Sequence, residues 1–187
     1  MEKTMDLDDR GPRGAIFDLD GTLIDTYHAH RIAWRDACTR NGIELTPEMF
    51  AWSFGRTNPT IIRRLWADEG RPAPDDREIE RVAEEKETDF REELVREFPA
   101  MPGVPELMDS LREAGFRIAI GTSAPRGNLE LAIEHLGIAH LIDATVCGSE
   151  VSHGKPDPEV FLLAASRIAV PPKRRVVVED AGAGVDA

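Results

Sequence analysis

Two aspartates, Asp18 and Asp20, separated by one leucine and followed by Gly21-Thr22, close the short apolar run Gly14-Ala-Ile-Phe17. An apolar run that stops at a turn reads as a buried strand with polar side chains at its end. The pattern recurs three times. Thr122-Ser123 follow the apolar stretch 116–120, Lys155 sits in the loop beyond 144–147, and Glu179-Asp180 follow 176–178. Singly, these are an Asx-type turn, a helix cap, a loop lysine and a solvated turn. Together they fall in order on successive strand ends, which is where an open parallel sheet binds its ligands.

These residue types suit phosphoryl transfer. Carboxylates from the first and fourth strands repel one another unless a hard cation such as Mg²⁺ takes their oxygens as ligands. Lys155 would keep Asp18 ionised and offset phosphate charge. A carboxylate nucleophile at Asp18 can accept a phosphoryl group as an aspartyl phosphate, splitting one hard displacement into two easier ones. Asp20 would protonate the departing oxygen and later deprotonate the attacking water. The Thr122 hydroxyl and the Ser123 backbone N–H would hold phosphate oxygens, helped by the positive end of the helix that follows.

The elements that must position these groups alternate. From residue 105 a helix ended by Gly115 leads to a strand over 116–120, then a helix over 125–136 ended by Gly137. A strand at 144–147, a helix over 158–168 and a strand at 176–178 complete the series. Alternation of this kind implies a parallel sheet covered on both faces. Between residues 26 and 99 strand signals vanish, and Thr46-Pro47, Asn58-Pro59 and Asp75 mark helix starts. The expectation is an all-helical insertion, with the charge-rich stretch 75–97 as a solvated helix face and Trp34, Trp52 and Trp66 as packing residues.

Composition narrows the function. A chain of 187 residues, 41% hydrophobic and 31% charged, is long enough for a sizeable core and too mixed to be disordered. Its formal net charge of -12 argues against general affinity for nucleic acid or an anionic membrane. Cys38 and Cys147 are too few for a disulfide framework, so a reducing cytoplasm is expected. The polar leader before Gly14 carries no apolar core of export-signal length, and no stretch reaches bilayer-spanning length.

With these residues in place, the chain resembles the haloacid dehalogenase superfamily, and within it the β-phosphoglucomutase-like phosphatases with a helical cap inserted after the first strand. Asp18-Leu-Asp-Gly-Thr-Leu23, Gly121-Thr-Ser123, Gly154-Lys-Pro-Asp-Pro158 and Val178-Glu-Asp180 match the four family motifs in order. The resemblance implies an α/β protein: a Rossmann-like parallel core over 1–25 and 100–187, and an all-α cap over 26–99 that selects the substrate. It implies Mg²⁺ held by Asp18, the Asp20 backbone carbonyl and Asp180, with Glu179 acting through water. Its expected partner is a small phosphorylated metabolite met by a monomer.

Phosphatase and mutase remain the two enzymatic alternatives. Thr26 and His30 align with cap-linker residues that mutases use. The Lys and Arg of a mutase-like cap are not matched in register at Phe54-Gly-Arg-Thr-Asn58, although Arg56 lies close, and this favours hydrolysis of a sugar phosphate. Arg56 and Asn58 are the expected substrate contacts. Family members continue through a further helix and strand, so the chain reads as truncated after the fourth motif. A catalytically silent fragment or phosphate-binding module is the reading from outside enzymology.

Overall fold

Strands buried on both faces are continuous apolar runs, and 14–17 of β1 (Arg13–Phe17) and 118–121 of β2 (Phe116–Gly121) have that character, while β3 (Ala144–Val146) is short and partly buried. A computed structural model describes residues 11–187; the first ten residues, most of the polar leader, lie outside the described residues. With β4 (Arg175–Val178), these strands form one parallel sheet in the order β3-β2-β1-β4. The register sets Phe17 opposite Ile120 on one side and Val178 on the other. Residues that follow them, Asp18, Gly121 and Glu179, therefore leave the sheet at one level. That register turns three separate loops into one site.

Alternation along β1 divides the core. Ala15 and Phe17 pack on one face with Ile118 and Ile120, beneath α5 (Val104–Glu113) and α6 (Arg126–Leu136). Ile16 and Ala119 pack on the other face against α7 (Glu159–Arg167). The residue-level boundaries agree with the sequence reading to within one or two positions. Gly137, at a φ of 67°, ends α6 in the left-handed conformation that glycine adopts without penalty. A short helix, α8 (Gly182–Val185), follows β4.

The span between β1 and α5 is helical: α1 (Tyr27–Arg40), α2 (Pro47–Ser53), α3 (Asn58–Asp68) and α4 (Asp76–Arg96). These helices enclose their own apolar cluster, which includes Trp34, Phe50, Ile62, Leu65, Trp66 and Val82. All three tryptophans pack as expected: Trp34 and Trp66 inside the cluster, and Trp52 partly buried against it with the guanidinium groups of Arg56 and Arg64 over its ring. Thr46 and Asp75 cap α2 and α4, accepting from the N–H groups of Met49 and Glu78. Asn58 differs. It is the first residue of α3, Thr57 being the cap, and its side-chain amide donates across to Glu87.

The charged stretch also departs from a purely solvated helix. Along α4, Ile79, Val82, Phe90 and Leu94 face inward, and Lys86 and Glu87 are buried with them. Both cysteines are buried and unpaired. Among the described residues, no helix is long and apolar enough to cross a membrane. Among the described residues β4 stands at the end of the sheet order, and Val176, Val177 and Val178 are each more than one-third exposed.

Candidate active site

Asp18 is buried at the end of β1, its N–H donating to the Val178 carbonyl across the sheet. Its Oδ1 accepts from Lys155 Nζ at 2.6 Å, and the same ammonium donates to Glu179 Oε2 at 2.6 Å. Lys155 is itself buried and lies over the Phe161 ring. Asp18, Glu179 and Asp180 each offer a carboxylate oxygen within 4.8 Å of the others. Burial pushes the Asp18 carboxyl up to about 7; Lys155 opposes the rise, and Glu179 and Asp20 add to it. Burial and the neighbouring Glu179 also raise Asp180. For Lys155, burial is outweighed by Asp18 and Glu179, which raise its pKa and keep it cationic.

Two glycines make this crowding possible. Gly21 has φ of +86°, and a Cβ there would fall 2.1 Å from Asp180 Oδ2. At Gly184 a Cβ would fall 2.1 Å from the Glu179 carboxyl carbon. Each glycine leaves the space that a carboxylate fills. Three crowded carboxylates beside a single ammonium form an oxygen-rich, net negative set that fits a hard divalent cation.

Asp20 belongs to a different environment. Its Oδ1 lies 3.3 Å from His30 Nε2, and His30 Nδ1 is 3.0 Å from Lys86 Nζ. Burial alone would raise Asp20, but the His30 ring and the Thr26 hydroxyl outweigh it and hold the carboxyl below its usual range. His30 is kept in plane by stacking on Phe90, at 4.2 Å between ring centroids. Thr26 is fully buried at the start of α1, its carbonyl accepting from the His30 N–H. It does not line the cavity described next. The two aspartates therefore have opposite environments, the nucleophile candidate held up in pKa and the acid–base candidate held down.

A narrow cavity of about 50 Å³ joins the two parts of the chain, smaller than the roughly 300–1,000 Å³ of open small-ligand pockets. Asp18, Asp20, Thr122 and Ser123 line it from the sheet; His30, Arg56, Asn58, Lys86 and Glu87 line it from the helices. Thr122 Oγ1 accepts from the Ala124 N–H, while Ser123 Oγ donates to the Gly55 carbonyl and ties the motif loop to the turn before α3. Arg56 donates to the carbonyls of Trp52 and Phe54 and stacks on Trp52.

Lys86 and Glu87 were not anticipated as site residues. Lys86 is 1% exposed and Glu87 5%. Glu87 Oε1 accepts from Lys86 at 2.8 Å and Asn58 at 2.7 Å, and Oε2 accepts from Asn128 at 2.6 Å. Burial would raise Glu87, but Lys86, His30 and Asn58 outweigh it and hold the carboxyl at about 2. A signal existed in the sequence: Lys86 stands four residues from both Val82 and Phe90, on the inward row of α4.

Comparison with known proteins agrees with this geometry. The family described as haloacid dehalogenase-like hydrolase matches residues 12–187. The fructose-1-phosphate phosphatase YqaB of Escherichia coli is 34% identical over 180 residues, covering 93% of this chain and 89% of that one. Hexitol phosphatase A of Escherichia coli is 34% identical, covering 92% of this chain and 76% of its own. Among solved structures, a β-phosphoglucomutase from Clostridium difficile superposes with a TM-score of 0.86 at 26% identity, covering 94% of this chain and 79% of that chain.

Proposed function

The chain belongs to the haloacid dehalogenase-like hydrolases, and from that premise we propose that it hydrolyses the phosphate ester of a small phosphorylated carbohydrate. One observation carries the reading: the Asp18 carboxylate, buried at a strand end and hydrogen-bonded by the buried Lys155, lines a cavity that Asp20 shares. Relatives named for fructose 1-phosphate and hexitol phosphate support the substrate class.

In this reading an Asp18 oxygen attacks phosphorus, the ester P–O bond breaks, and the leaving oxygen takes a proton from Asp20. The resulting aspartyl phosphate is attacked by water, whose proton passes to Asp20, and inorganic phosphate departs. Asp20, held low by His30, suits the second, proton-accepting step. For the first step it must carry a proton, and the negative charge of a bound phosphate raises its affinity for one. Lys155 and the Thr122 hydroxyl hold phosphate oxygens. Asp18, the Asp20 carbonyl, Glu179 and Asp180 would hold Mg²⁺, which when bound neutralises charge on phosphate and carboxylates alike. Helices α1–α4, within 26–99, act as a cap that excludes water from a core formed by the described part of 1–25 and by 100–187. A reducing cytoplasm suits the two unpaired cysteines.

Arg56 favours a second reading. Its hydrogen bonds run to carbonyls, so its charge stays available in the cavity for a second phosphate, as phosphosugar mutase chemistry requires. Free-phosphate release from sugar and aryl phosphates, with Mg²⁺ and with chelator, compares the chain with Asp18→Asn. Release that needs both Mg²⁺ and Asp18 supports the phosphatase. Isomer conversion that needs a bisphosphate primer and releases little phosphate supports the mutase instead.

A further inference from the structure

Glu87 and Arg91 stand four residues apart on α4, hence on one face of the helix. Across from them is Asn128 of α6, 1% exposed and on the sheet side of the cavity. Asn128 Nδ2 donates to Glu87 Oε2 at 2.6 Å, and Asn128 Oδ1 accepts from Arg91 Nη1 at 3.2 Å. Both ends of one amide are thus read by one helix. The amide orientation follows from chemistry, because an ionised carboxylate only accepts and a guanidinium only donates.

Beside this amide, Phe90 and Leu94 of α4 share an apolar cluster with Leu129 and Ala132 of α6, and His30 of α1 faces Asp20. Ser123 Oγ donates to the Gly55 carbonyl, and the Gly55 and Gly154 positions lie close to Ala181 and Thr57. The Asn128 amide, by contrast, joins two charged side chains through charge-assisted hydrogen bonds. Glu87 also holds Lys86 and Asn58, so its hold on Asn128 connects the cavity wall to the sheet layer.

We propose that the Glu87–Asn128–Arg91 clasp is the latch that keeps the helical layer closed over Asp18. It rests on the reading above in one respect, that the helices close over the nucleophile. Opening breaks two charge-assisted hydrogen bonds and bares Glu87; closing restores both. Neither Asn128 nor Arg91 touches the reacting atoms, so their part is positional.

Reversing donor and acceptor tests the latch. In Asn128→Asp, one oxygen still accepts from Arg91, while the other meets Glu87 as a like charge away from water. Adding Glu87→Gln lets the new amide donate to the carboxylate introduced on α6, while its carbonyl oxygen still accepts from Asn58 and Lys86. Hydrogen exchange over residues 18–26 reports exposure of the nucleophile loop and needs no turnover, so a missing substrate or an absent phosphatase activity leaves its result intact. The single variant is expected to speed exchange there on the order of tenfold or more, as loss of a charge-assisted bond implies, with exchange in β2 unchanged. The double variant should return it to near the parent rate. Unchanged exchange in the single variant, acceleration spread equally through β2, or a double variant no slower than the single would each overturn the latch.

Discussion

Glu87→Gln removes the buried charge and makes the stability of the chain respond differently to acid. Pairing holds the folded-state Glu87 at about 2, below its ordinary 4.5. A depressed carboxyl contributes stability that is fully present above the unfolded pKa and disappears as pH falls through the folded one. At about 1.4 kcal/mol per pKa unit, the drop corresponds to roughly 3 kcal/mol, of which about 2 kcal/mol is gone by pH 3. Urea unfolding of parent and variant at several pH values between about 7 and 3 isolates this share, because the other carboxylates cancel in the difference. The parent's advantage should shrink by about 2 kcal/mol over that range. Parallel stability curves, with a difference constant to about 0.5 kcal/mol, would refute the assignment of Glu87 as a strongly paired, ionised group.

Asp18→Asn should abolish turnover without lowering the melting temperature, since the amide keeps the shape, cannot attack phosphorus and lightens a crowd of buried negative charge; activity and thermal melts check both halves. Asp20→Asn should reduce turnover by roughly 10²–10⁴-fold, and steady-state rates close to the parent's would remove it from proton transfer. Lys155→Met leaves Asp18 and Glu179 buried without their shared partner, a loss of about 3–5 kcal/mol readable in chemical denaturation. Gly21→Ala should displace Asp180, since the new methyl would occupy its carboxylate and adopt an unfavourable φ; a crystal structure with Asp180 unmoved would contradict this.

The sheet was legible because the runs 14–17, 118–120 and 176–178 are apolar, and the polar residues that follow them stand out against that background. Register then brings Asp18 and Glu179 level, although they stand near opposite ends of the chain. The cavity wall from the helices was not legible. Glu87 lies in the stretch 75–97, where 16 of 23 positions are charged, and its partners Asn58 and Asn128 are 29 and 41 residues away. Composition identifies such a stretch as solvated; only the inward row of α4, which Lys86 shares with Val82 and Phe90, distinguishes the buried pair from its neighbours. Asn58 shows the same limit, because its place at the start of α3 was legible while the Glu87 carboxylate to which its amide donates lies on another helix.

The pairing of β1 with β4 has a consequence for how the site is kept in register. Strand β4 carries the Val178 carbonyl that accepts from the Asp18 N–H, and it leads directly into Glu179 and Asp180. One strand thus sets the height of the nucleophile's backbone and of the acidic pair together. A slip of one residue in this pairing would turn Glu179 to the opposite face of the sheet and part it from Lys155, with every helix still formed.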